Sequence, residues 1–117
     1  MSKQLYLHIK WDETREKNHS RAGDRGIYDE MISEGCKVPL LGLGEKATVK
    51  KLTDDEVTLE VPRKGEYIIP MNQTTTICYS DGYQVAGDWV DERLIYEIKF
   101  SDMSNIDTRI KTQGDSV

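Results

Sequence analysis

The sequence predicts a mainly β fold, a small antiparallel barrel or sandwich of about six strands with one short helix after the first strand. Three observations predict it. Apolar and polar residues alternate along several short runs. Gly, Asn, Asp and Pro punctuate the chain at roughly eight- to twelve-residue intervals, as in all-β domains. Apolar residues at helical spacing are confined to 27–34 and to the pair Ile106 and Ile110 in the tail, which could alternatively dock as one helical turn.

The first strand is 4–10: Leu5, Leu7 and Ile9 face one way, Tyr6, His8 and Lys10 the other. Residues 12–26 then hold almost nothing to bury, and Gly23 and Gly26 suit turns, so the pattern predicts a long polar loop. Residues 27–34 read as the helix. Ile27 and Met31 are four apart, as are Tyr28 and Ile32; Asp24 lies ahead as a cap and Gly35 follows as a stop. Pro39 turns VPLLGLG away from helix, into a buried crossing or a short strand.

A hairpin follows, with strands at 46–52 and 56–61 about a turn at Thr53, Asp54 and Asp55. Arg63, Lys64 and Gly65 make the next turn, and residues 66–71 form a strand in which Pro70 demands an edge or a bulge. Three threonines and an isoleucine give TTTICYS (74–80) β character. Asp81–Gly82 and Gly87–Asp88 are turn pairs, with YQVA between them a brief strand or a loop tip. The strongest strand is 93–100, with Leu94, Tyr96, Ile98 and Phe100 on one face. The expected architecture is a meander of 46–80 closed by the pairing of 4–10 with 93–100. If it stays open, either of those two strands offers a homodimer seam.

At 117 residues the chain suits one domain, placed at 1–102, followed by a mobile tail over 103–117. No apolar run approaches the roughly 20 residues that span a bilayer. The N-terminus has strand alternation rather than a signal-peptide pattern. No membrane association is expected, and the cytoplasm, of a cell or of an infected host, is the expected location. Cys36 and Cys78 are expected as free thiols, Cys78 buried in its strand. Net charge is −5, carried wholly by residues 40–117. A small acidic protein of this kind opposes direct binding to duplex nucleic acid and suits a basic partner surface.

Chemistry-bearing patterns are sparse. His8 and His19 are the only histidines, and no CxxC, HxxxH or HxH spacing supports a metal site. Ser20 beside His19 is adjacency, not a facing pair. The acids at 54–56 and 91–92 lie at a turn and a strand start.

Two segments stand out. Residues 15–25 set Arg15, Lys17, Arg21 and Arg25 against Glu16 and Asp24, with His19 and Ser20 adding hydrogen-bonding groups. Guanidinium groups beside a helix N-terminus are the parts of an anion site, although a solvated polar loop has the same composition. Residues 79–90 gather Tyr79, Tyr83 and Trp89 among Asp81, Asp88, Asp91 and Glu92. Aromatic side chains near turns serve as interface anchors, or else cap a core.

These readings predict a non-enzymatic binding protein of inhibitor, immunity or adaptor type. It docks on a protein partner with a basic surface through Tyr79, Asp81, Tyr83, Asp88 and Trp89. The alternative is a binder of an anionic small molecule such as a nucleotide, held by Arg15, Lys17, His19, Arg21, Arg25 and helix amides near Ile27. Neither reading implies a cofactor.

Overall fold

A computed structural model describes residues 4–17, 20–22 and 25–103. Among the described residues the chain forms nine strands and no helix. They are β1 (Leu5–Lys17), β2 (Ser20–Ala22), β3 (Arg25–Ile32), β4 (Lys37–Leu40), β5 (Glu45–Leu52), β6 (Glu56–Val61), β7 (Gly65–Pro70), β8 (Thr74–Val85) and β9 (Asp88–Ser101).

Two antiparallel sheets result. The long sheet runs β2–β1–β9–β8, with β3 also paired to β1; the short sheet runs β4–β5–β6–β7. β2 and β3 lie one after the other along the edge of β1 that faces away from β9. Alternation decides the inner faces. Leu5, Leu7, Ile9, Ile32, Ile77, Leu94, Tyr96, Ile98 and Phe100 of the long sheet share one core with Val38, Leu40, Ala47, Val49, Val57, Leu59, Val61 and Ile69 of the short one. Each Val, Leu, Ile or Phe among them withdrawn from water stabilises the pair of sheets by roughly 1.5–3 kcal/mol. In β5 a register shift between Val49 and Lys51 lets both Val49 and Leu52 turn inward despite their odd spacing.

The architecture is a sandwich, not a closed barrel, and the meander of 46–80 is split between the sheets. β7 pairs with β6, and Pro70 lies on the sheet edge where its missing donor costs nothing. Asn72 then takes a left-handed φ of 65°. Its N–H donates to Phe100 O at 2.7 Å, which commits the following strand to β9 and the long sheet. Strand 4–10 pairs with 93–100, Leu7 opposite Phe100 and Ile9 opposite Ile98. Both lie inside the long sheet, so neither offers the free edge expected of a dimer seam.

The expected helix at 27–34 is strand β3 and the turn after it. A separation of four is two full strand repeats as well as about one helical turn, so both apolar pairs suit either structure. Pairing with β1 from Leu5–Ile32 to Asp12–Arg25 decides for the strand. Ile32 and half-buried Tyr28 face the core, while Ile27 and Met31 are exposed at 43% and 62%. Gly35 does take positive φ (89°), but in a turn between the sheets, where its N–H donates to Val49 O at 2.7 Å.

The expected loop at 12–26 is also largely strand. β1 continues to Lys17 because its backbone is paired on both sides, by β9 and by β3 and β2, without any apolar face. The tail beyond Met103 lies outside the described residues. Among the described residues no helix is long and apolar enough to cross a membrane.

Candidate functional site

The long sheet overhangs the short one. At roughly 3.3 Å per residue, a 14-residue strand reaches about 46 Å and a 6-residue strand about 20 Å; β9 has 14 residues and β6 has 6. The shared core stops at Tyr79 and Leu94. Residues 80–93 of β8 and β9, with the paired end of β1, therefore project past it as an arm.

The arm ends in a two-residue turn at Ala86 and Gly87, with φ of 53° and 88°. Both central residues lie in the left-handed region, the arrangement whose twist matches paired strands. Val85 pairs with Asp88, Gln84 with Trp89, Tyr83 with Val90 and Gly82 with Asp91. Asp81–Gly82 is thus no turn, and the turn expected at Gly87–Asp88 falls one residue earlier; of YQVA, residues 83–85 belong to β8 and Ala86 opens the turn.

Trp89 lies on the face of the arm turned away from the core and is 57% exposed. Its Nε1 donates to Asp91 Oδ1 at 2.5 Å. Its ring rests against Gly82, where an added Cβ would come within 2.7 Å of Cε2. A carboxylate two residues on and a bare backbone on the neighbouring strand thus fix a large exposed indole. Arg93 and Ser80, also exposed, pair across the strands further along the same face.

The other aromatic expected here behaves differently. Tyr79 is 8% exposed and donates to Pro62 O at 2.7 Å. Its ring meets Tyr96 edge-on at 6.1 Å, while Arg63 and Lys64 each stand 5.1 Å from its centroid. Burial raises its phenol pKa, against a lowering by Arg63. Tyr79 closes the core and does not join Trp89. Asp81 is exposed, accepts from the Gly82 N–H at 2.7 Å, and with Glu92, Arg63 and Leu43 lines a hollow of about 180 Å³ beside Tyr79. Arg63 there also meets Glu45 at 3.4 Å. The side chains of Tyr83 and Asp88 lie outside the described part of the structure.

The expected docking cluster is therefore divided. Trp89 stands on one face, Tyr79 seals the sandwich, and Asp81 lines the hollow beside it. Asp91 and Gly82 were missed as its supports. The spacing of Trp89 and Asp91, two apart on a strand, could have disclosed the first. Gly82 required the hairpin register.

The basic segment fares less well. His19 and the side chains of Arg15, Lys17 and Arg21 lie outside the described residues. Arg25 is exposed and, with Lys10, Trp11, Asp12, Gly26 and Ile27, lines a cavity of about 420 Å³. Ile27 sits in a strand ladder opposite Lys10, so no helix N-terminus presents amides there. His8 lies on the outer face as expected, yet it is 5% exposed, with Nδ1 2.8 Å from Asp29 Oδ1. Cys36 and Cys78 are both free, and Cys78 is exposed rather than buried because it too faces outward. Among the described residues no three of His, Cys, Asp and Glu gather as a metal site. Compared with protein-family models, curated proteins and solved structures, the chain shows no match.

Proposed function

We propose that this chain is a non-enzymatic binding protein that docks on a macromolecular partner through the overhanging arm, as small inhibitor, immunity and adaptor proteins do. The observation that carries the reading is Trp89, 57% exposed yet held by Asp91 and Gly82. An indole already fixed in place loses little conformational freedom on binding, and its area suits an interface anchor. Exposed Asp81 and Asp91 flank the arm, and the chain carries a net charge of −5. A partner with a basic, partly apolar patch complements this surface, and the charges speed encounter at low salt.

The test compares the native chain with Trp89→Ala and with Ile68→Ala, whose side chain is 61% exposed on the short sheet. Each serves as bait, and a protein enriched by the native chain is then purified and titrated calorimetrically. Trp89→Ala should lower affinity at least tenfold with an unchanged melting temperature, Ile68→Ala should not, and added salt should weaken the native complex. Equal affinity for the native chain and Trp89→Ala would sink the reading.

A further inference from the structure

We propose that β8 is the seam of a homodimer, in which two copies pair antiparallel through their β8 edges and join their long sheets into one. Among the described residues five strands lie at sheet edges: β2 has only three residues, three others are guarded, and the fifth is β8. β4 spans only Lys37–Leu40 and contains Pro39 and a lysine. β7 carries Glu66 and ends in Pro70. β3 carries Arg25, Asp29 and Glu30. Short length, proline and charge are the usual means of keeping an edge from pairing. β8 is 12 residues long, and from Thr74 through Ser80 it has no Lys, Arg, Asp, Glu, Pro or Gly.

Its backbone polarity is fixed by the ladder. Phe100 N–H donates to Gln73 O at 3.3 Å, and Phe100 O accepts from Asn72 N–H at 2.7 Å. Antiparallel hydrogen-bonded pairs recur every second residue, so Ile98, Tyr96 and Leu94 likewise turn towards β8 and engage Thr75, Ile77 and Tyr79. Thr74, Thr76, Cys78 and Ser80 therefore direct their N–H and C=O groups away from the sheet, and all four are exposed.

A second copy fits this edge by charge. With the two-fold axis at Ile77, Thr76 faces the other copy's Cys78 and Thr74 its Ser80. The small hydroxyls suit cross-strand pairing. The first carboxylate, Asp81, faces Gln73. No acid meets an acid along the seam, which matters for a chain whose net charge of −5 opposes its own association. The antiparallel arrangement sends the two Trp89 arms to opposite ends, so this seam is independent of the docking surface.

Sedimentation velocity over a wide concentration series tests the proposal. The native chain should reach twice its 13.4 kDa mass. Thr76→Pro removes an outward donor while sparing the ladder to β9, and should halve that mass with an unchanged far-ultraviolet spectrum. Thr76→Lys keeps the backbone donor and sets two charges against each other across the seam. It should also give monomers, and it decides the matter should the proline variant fail to fold. Met31→Lys, on the guarded β3 edge, should stay dimeric. A native chain that is monomeric at the highest concentration, or a dimer that survives Thr76→Lys, would overturn the seam, as would dissociation by Met31→Lys alone.

Discussion

Replacing Tyr96 by phenylalanine probes how the two sheets are joined at the base of the arm. Tyr96 is fully buried, and its hydroxyl donates to Leu41 O at 2.6 Å, tying the long sheet to the turn after β4. The substitution keeps the ring and deletes that hydrogen bond, at a cost of about 1 kcal/mol near neutral pH. For a domain of this size that corresponds to roughly 4 °C in melting temperature. Burial raises the Tyr96 pKa, and the neighbouring phenols of Tyr28 and Tyr79 add to the rise. An unfolded tyrosine ionises near 10, whereas the buried one keeps its proton to higher pH. The stability it contributes is thus whole below pH 10 and falls as pH rises above it. At about pH 10.5, ionisation of one unfolded tyrosine favours unfolding by ~0.8 kcal/mol, a loss the phenylalanine variant does not suffer. Tyr28 and Tyr79, also raised by burial, are common to both proteins and cancel in the difference. The gap between native and variant should therefore shrink from roughly 4 °C at pH 7 to about 1 °C at pH 10.5. Paired thermal melts followed by circular dichroism at the two pH values measure it. A gap that stays constant would show that the Tyr96 hydroxyl is not held protonated in the fold, and the reasoning would fail.

Two further outcomes follow from packing. Gly42→Ala should destabilise more than Gly44→Ala in urea titrations. Both positions have positive φ (90° and 81°), but a Cβ at Gly42 would also lie 2.7 Å from Trp11 Cζ3, while the space at Gly44 is open; equal losses would mean the Trp11 contact is not rigid. Leu59→Ala, at a fully buried position, should cost about 2–5 kcal/mol. Ile68→Ala on the adjacent strand, 61% exposed, should change stability by no more than about 0.5 kcal/mol; comparable losses would contradict the assigned faces.

The strands that cover the core were legible because burial writes itself into alternation. Leu5, Leu7 and Ile9 could be placed on one face before any partner was known, and so could Leu94, Tyr96, Ile98 and Phe100. The same rule fails where a strand is held by its neighbours rather than by a buried face. Residues 12–17 have no apolar stripe, yet they pair from Asp12–Ile95 to Lys17–Val90. On one side they pair locally with β2 and β3, but on the other they depend on β9, some eighty positions away, and no local window contains that half of the ladder. β3 failed for the opposite reason: its spacing was informative but fitted two periods at once.

The arm shows how one misplaced turn changes a candidate site. Asp81–Gly82 has the composition of a hairpin turn, and reading it so puts Tyr79 and Trp89 together at the sheet end. The turn lies at Ala86–Gly87 instead, where alanine accepts a left-handed φ of 53° that sequence statistics assign to glycine or asparagine. With that register Gly82 sits beside the diagonal neighbour it supports, and its missing side chain acquires a different purpose. It gives the Trp89 ring a surface to lie on, where any Cβ would displace it. The glycine was a correct sign of an unusual backbone environment, but the cause was the close approach of an indole and not a change of chain direction. The exposed tryptophan is thereby a property of the pair of strands, and an interface anchor at this position depends on both.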